Sequence, residues 1–551
     1  MGIEEKENKM QWLIDKVEME NIIVNTGKKK GSVNAPTGYG KSGFIFEDII
    51  YHINNMKEDD KFIFNISAPI LLLELQCVEG LSIVLREKFK EKVNNKEFMF
   101  FVNSSDNRLK YKEICANIFA DTKGFEKIGD FLLNDSKKIA IVASCKNSLD
   151  KFSEKIDFIK SHKNVTVFNY IDESHLITDC DYIRNIFEKS DYLYTITATE
   201  SDDIRKLIKD ITGEKKPIVN IPASQAIKEN IIVRPNPFYK IVDSSKCGYK
   251  ITSEMLLELM EKFKNDKNQE NIPHKILVSC TNSKNLIDLK EKLKDSKIKV
   301  FSTCVKDGSK SNENSEYLDI DEVDFIKNVD EYPDDCFILH IRRLIQGIDI
   351  KTITDAIIPI RDTHIDAIDK RTIIQTMGRA LRTFSGERGK PEEERKKKYG
   401  NVVFVIEYGS SMKDAEERLS AMLYDYYGRD NVITFETRER NSKNNGDSND
   451  DFSTLHLHRF KCPFTENDLE KLKINISKYI TENLKREYES KKEILEEEFS
   501  FADYLKEIDA FKILKKKFID CGFIFDESIS LSCVFEDDEL RSLINKVIDE
   551  Q

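Results

Sequence analysis

The octapeptide APTGYGKS, residues 35–42, decides how the rest of the chain is read. It follows a short extended segment, GSVN at 31–34, and precedes an amphipathic stretch with Phe46, Ile49, Ile50 and Ile53 on one helical face. Strand, glycine turn and helix in that order form a cradle for phosphate. Gly38 and Gly40 let the backbone curl so that its amides point at phosphate oxygens, assisted by the positive end of the helix dipole. Lys41 would then reach the β- and γ-phosphates of a bound nucleotide and Ser42 would ligate Mg2+, with Pro36, Thr37 and Tyr39 completing the loop. Ala35 stands where a leading glycine is usual, so the motif needs support from elsewhere in the chain.

Two further elements supply it. IDESH at 171–175 ends an apolar run, which puts Asp172 and Glu173 at the carboxyl edge of a sheet, beside the phosphate loop. Asp172 would hold Mg2+ through its water shell while Glu173 polarises the attacking water. The plainer alternative is a solvated acid pair at a strand end. In QTMGRALR at 375–382, a continuous helix would place Gln375, Arg379 and Arg382 on one face at i, i+4 and i+7. An arginine delivered this way neutralises charge on a transferring phosphoryl group, and Gln375 orients water or contacts phosphate. An exposed basic helix face is the alternative. Gly378 weighs against that, because glycine inside a helix costs about 1 kcal/mol and signals close backbone approach.

The bulk properties bound the answer. With 551 residues, two to four domains are expected. A chain 40% hydrophobic and 34% charged is neither disordered nor fibrous, and no run of about 18 apolar residues suggests a membrane span. The N-terminus is acidic and polar where a signal peptide would be basic and then apolar, and the 11 scattered cysteines form no CxxC pair. A reduced, cytoplasmic protein is expected. His456, His458 and Cys462 are zinc-ligand types without a second pair to complete a tetrahedron, so a connector is expected there. A net charge of -12 excludes a polycation coating phosphate backbones indiscriminately.

Short apolar runs alternate with amphipathic stretches, the pattern of mostly parallel α/β layers. In the first half they fall at 62–67, 139–144, 165–171 and 192–197. In the second they fall at 275–280, 298–303, 336–341, 354–360 and 401–406. Breakers between about 213 and 250 mark a boundary, giving a first lobe over 1–230 and a second over 231–439. The polar stretches 307–316 and 385–400 read as surface loops, 440–452 as a linker, and 453–551 as a mainly helical segment.

With these motifs in hand, the chain resembles the superfamily 2 helicases, of the DEAD/DEAH-box-like, restriction or phage type, because several of that family's motifs occur in its order. APTGYGKS resembles motif I, DESH motif II, Thr197-Ala198-Thr199 motif III and QTMGRALR motif VI. SAPILLLELQ at 67–76 resembles motif Ia, ASCKNSL at 143–149 motif Ib, SCTNSK at 279–284 motif IV and RRLIQGIDI at 342–350 motif V, the last preceded by His340 and Ile341 where threonines are frequent. The resemblance implies two RecA-like P-loop NTPase lobes in tandem. It further implies coupling through 197–199, nucleotide contact through Gly347 and Asp349, and strand contacts at Ser67, Ala68, Pro69, Ser144, Thr281 and Asn282. Ordinary strand ends and turns are the alternatives at these positions.

The function so implied is an ATP-dependent helicase or translocase on DNA or RNA, with DNA favoured, using ATP and Mg2+ and no membrane. Two alternatives stay open: a motor subunit of a restriction or defence complex whose C-terminal helices dock a protein partner, and an ATP-gated interaction scaffold that uses no nucleic acid.

Overall fold

The computed structural model describes residues 22–68, 71–94, 97–103, 120–121, 128, 132, 138–145, 149–162, 164–174, 184, 186, 188–199, 202–214, 216–242, 251–269, 272–303, 322–341, 350–360, 367–384, 386–407, 412–428, 431–432, 457–460, 485–486 and 488–489. Its strands form two sheets. The first holds β1 (Lys30–Asn34), β2 (Phe62–Ala68), β3 (Phe98–Asn103), β4 (Ala120–Asp121), β5 (Ile139–Cys145), β6 (Thr166–Asp172), β7 (Tyr192–Thr197) and β8 (Val219–Asn220), in the order β4-β3-β5-β2-β6-β7-β1-β8. Every pairing in it is parallel. The runs expected from the sequence at 62–67, 139–144, 165–171 and 192–197 are four of these strands. They are mostly apolar rather than alternating because helices cover both faces of a parallel sheet.

The second sheet holds β9 (Arg234–Val242), β10 (Lys275–Ser279), β11 (Lys299–Thr303), β12 (Cys336–His340), β13 (Asp355–Ile360), β14 (Tyr399–Glu407) and β15 (His458–Arg459), ordered β11-β12-β10-β13-β14-β9-β15. Only β15 runs antiparallel. Two RecA-like lobes result. Within the breaker-rich stretch 213–250, β9 opens the second sheet: it pairs with β14 along all nine of its residues despite Pro235 and Pro237. Prolines two apart lose their N–H groups on one edge of a strand, and on β9's other edge β15 pairs only with Phe238 and Tyr239. His458 and Arg459 likewise join the second sheet, where Phe460 is buried against Tyr239 and Phe404. His456, Cys462 and nearly all of 461–551 lie outside the described residues, and among those described no His, Cys, Asp and Glu group could hold a metal.

Five helices bear on the site: α1 (Lys41–Asn54), α2 (Ala223–Lys228), α3 (Ser283–Lys292), α4 (Ala367–Ala380) and α5 (Met412–Tyr427). Helix α1 carries two carboxylates into the core, Glu47 and Asp48. Asp48 is 1% exposed, accepts the Tyr170 hydroxyl at 2.6 Å and lies 3.6 Å from His52 Nε2. Burial pushes its carboxyl up to about 7 and pushes the His52 imidazole down to about 4. A raised carboxyl pKa means that the folded chain binds more protons than the unfolded one between about pH 4 and 7, so this group's contribution to stability falls as pH rises through that window. Asp48→Asn keeps an acceptor for Tyr170 and removes the titration. In denaturant unfolding it is expected to be more stable than the native chain by on the order of 3 kcal/mol at pH 8, with the advantage gone below pH 4. An advantage of equal size at both pH values would refute the assignment.

Candidate active site between the lobes

The strand order brings the first-lobe motifs to one edge. β6, β7 and β1 are adjacent, with Asp172 in register with Ile196 and Asn34 with Thr197. The phosphate loop therefore leaves β1 beside both the acid pair and the 197–199 turn, and Ala35 N donates to Thr197 O at 3.1 Å. In that turn Thr197 Oγ1 accepts the Thr199 amide at 3.1 Å, and Ala198 sits between them half-buried. Gly38 and Gly40 take φ of 91° and 95°, left-handed values that an L side chain resists. Gly40 is the residue preceding α1, so Lys41 and Ser42 open the helix where its dipole is positive.

Glu173 is the strained residue of the site. It has φ 48°, is 9% exposed, and its amide is taken by Asp172 Oδ1 at 2.9 Å. A non-glycine residue in this region costs about 1–3 kcal/mol and persists where its surroundings impose it, typically at functional sites. Tyr426 of α5, in the second lobe, faces this carboxylate: burial foremost, and then the Glu173 charge, raises its phenol pKa.

The second lobe meets the loop through α4. A methyl group on Gly378 would stand 2.5 Å from Thr37 Cβ, so helix and loop touch backbone to side chain. Gln375 and Arg379 are on α4 and are 6% and 3% exposed. The helix stops at Ala380, which corrects the single-face expectation for Arg382. Arg382 instead forms an isolated bridge with Ile232 in the segment joining the lobes, and from there its Cγ lies 3.2 Å from where a Gly38 Cβ would be. Beside Arg379, His340 is fully buried with Nε2 3.0 Å from Ser279 Oγ, and burial foremost, then the Arg379 charge, pushes its imidazole down to about 3. A neutral imidazole thus adds no repulsion to the buried arginine.

The stretch 385–400 is exposed at most positions from 386 to 396, as expected of a surface loop, yet it also buries charged residues. Glu387, Arg395 and Lys397 are buried, and Arg388 Nη2 donates to Tyr39 O of the phosphate loop at 2.6 Å. The Lys397 ammonium, pushed down to about 7 by burial, donates to Ile353 O and to Arg382 O, each at 2.8 Å. These groups, with Tyr426, are not legible in the sequence. Charge richness looks the same on a solvated loop as on a buried clasp.

The expected strand contacts fare differently. Ser67 and Ser144 are buried, and the Ser144 hydroxyl is spent on Asn65 Oδ1 at 2.7 Å, so neither presents its side chain outward. Asn282 caps α3 by accepting the Asn285 amide at 2.9 Å, while Thr281 next to it is half-buried. Ala68 ends β2. Pro69, Gly347 and Asp349 lie outside the described residues.

The donor set fits the expected ligands. Ser42 with Asp172 offers hydroxyl and carboxylate oxygen, the chemistry of a hard cation such as Mg2+.

Residues 4–202 match the family model described as the type III restriction enzyme, res subunit. No curated protein matches the chain. Among solved structures it is similar to the ATP-dependent type ISP restriction-modification enzyme LlaBIII bound to DNA, at 13% identity and a TM-score of 0.48, covering 74% of this chain and 29% of that one. It is similar to the DEAD-box helicase Mss116 bound to ssRNA and UDP-BeF, at 15% identity and a TM-score of 0.44, covering 95% and 90%. A third likeness is to the Mycobacterium smegmatis helicase Lhr bound to ssDNA and AMP-PNP, at 12% identity and a TM-score of 0.43, covering 75% and 49%. Among the described residues no helix is long and apolar enough to cross a membrane. The res-subunit match is confined to the first lobe, and the two parallel sheets give the chain the fold of two RecA-like lobes in tandem.

Proposed function

We propose that this chain hydrolyses ATP between its lobes to move along, or to open, a nucleic acid. The observation that carries the reading is the meeting of Thr37 and Gly38 with Gly378 and Arg382, residues some 340 positions apart that form one surface around the phosphate cradle. In this mechanism Lys41 and the amides of the loop bind the β- and γ-phosphates, and Ser42 and Asp172 hold Mg2+, which offsets phosphate charge when bound. Glu173 orients the attacking water and accepts its proton. Arg379 and Arg382 stabilise charge on the transferring phosphoryl group, with Gln375 beside them. Because the arginines come from the opposite lobe, nucleotide favours the closed arrangement and its hydrolysis releases it. Thr197 to Thr199, bonded to the start of the loop, connect that cycle to the strand-binding edge.

The res-subunit match favours the more particular reading, a DNA translocase working as the motor of a restriction or defence assembly, with a protein partner on the C-terminal segment. The test is ATPase activity of the full chain alone and with single-stranded DNA, duplex DNA or RNA. Stimulation of about tenfold or more by duplex DNA is expected, ahead of RNA. Equal rates with and without every polymer would transfer the reading to the ATP-gated scaffold.

A further inference from the structure

We infer that Arg388 is a positioning residue for the phosphate loop, supplied by the second lobe: by holding the Tyr39 carbonyl it fixes the peptide that carries the Gly40 amide. The inference rests on the nucleotide reading and goes beyond it, since the motifs assign no role to the segment after Arg382. The geometry is direct. Arg388 Nη2 lies 2.6 Å from Tyr39 O, and its guanidinium carbon stands 5.7 Å from the centre of the Tyr39 ring. The Tyr39 hydroxyl donates to Glu229 Oε2 at 2.9 Å, so this residue is fastened both at its main chain and at its tip.

The physical consequence comes from the planar trans peptide, in which C=O and N–H point to opposite sides. A carbonyl drawn toward the second lobe directs the Gly40 N–H away from it. Gly40 has φ 95° and tolerates either sign of φ, so sterics alone leave this peptide free to turn over. A charge-assisted hydrogen bond to its oxygen is what selects one orientation.

The segment carrying Arg388 is in turn tied to the connection between the lobes. Gly389 N donates to Asn230 O at 3.0 Å and the Arg395 guanidinium bonds the Asn230 side-chain oxygen. Asn230 itself has φ 60°, a turn that asparagine tolerates better than most residues. Arg388 reaches Tyr39 in the arrangement of the lobes seen here. Opening them withdraws the guanidinium and lets the Gly40 amide swing, so phosphate affinity becomes dependent on closure without any change in the loop's own sequence.

The experiment compares full-length wild type, Arg388→Ala, Arg388→Lys and Lys41→Ala, by binding of a fluorescent magnesium ADP analogue and by steady-state ATPase. For Arg388→Ala the expected result is nucleotide affinity weakened about tenfold, and KM for ATP raised alongside it, with kcat at saturation changed less than about threefold. Arg388→Lys, which keeps a charged donor, should recover about half of that loss on a logarithmic scale. Melting temperatures should stay within about 2 °C of wild type, because Arg388 is only half-buried and a structural role would show there instead. Unchanged affinity in Arg388→Ala, or a loss that tracks a lowered melting temperature, overturns the inference while Lys41→Ala still loses binding. A wild-type chain that binds no magnesium nucleotide overturns the underlying reading, and this inference with it.

Discussion

Glu173→Gln is expected to lower ATP turnover by about 10² to 10⁴-fold while leaving nucleotide binding within a few-fold of wild type. Gln keeps the length of the side chain and one acceptor oxygen but accepts no proton, so it separates water activation from the architecture of the site. The strained φ of 48° is the same for either side chain, and Asp172 Oδ1 caps the main-chain amide at 173 in both. The fold is accordingly expected to survive, and the variant should trap the bound nucleotide with the lobes closed. Single-turnover hydrolysis under saturating polymer is the measurement. Wild-type turnover in Glu173→Gln would falsify the role, and the proton acceptor would then be sought elsewhere along the same sheet edge.

The second large effect concerns a residue with no side chain. Gly378→Ala should reduce kcat/KM for ATP by about a hundredfold or more, because the added methyl would lie 2.5 Å from Thr37 Cβ, closer than real side chains come. Thr37 Cβ is attached directly to the loop backbone and has no rotamer that escapes, so loop and helix must part. That parting carries Arg379 and Arg382 away from the cradle. Stability should move little or rise slightly, since Ala is the better helix former by about 1 kcal/mol. Removing the opposing atom offers a check: Thr37→Gly in the Gly378→Ala background is expected to recover at least tenfold of the lost activity. A Gly378→Ala chain with unaltered kcat/KM would show that the lobes work without this contact.

Both experiments probe positions that the linear sequence marked for different reasons. Glu173 was legible because an acid pair after an apolar strand has few uses once a phosphate loop is present. Gly378 was legible because glycine is costly inside a helix and this one has a helical neighbourhood on both sides. Arg382 was only half legible. Its spacing from Arg379 suits one continuous helix, but α4 ends two residues earlier, and a backbone bridge to Ile232 sets its Cγ beside Gly38 while its Nη1 donates to Ile350 O. Ser67 and Ser144 show the opposite failure, since small polar residues at strand ends resemble contact residues whether or not they face outward; here both are buried.

The sequence by itself determined the two-lobed α/β layout, the phosphate loop and the acids beside it, because these depend on apolar runs, glycine conformations and strand ends that span a few residues each. Tertiary structure alone decided that Pro235 and Pro237 lie within a strand, that Glu387, Arg395 and Lys397 of an otherwise exposed charged stretch are buried, and that Arg388 grips Tyr39 across 349 positions of chain. Such pairings have no local period or spacing. They come into being when two sheets close on one another and the charges between them must find partners away from water.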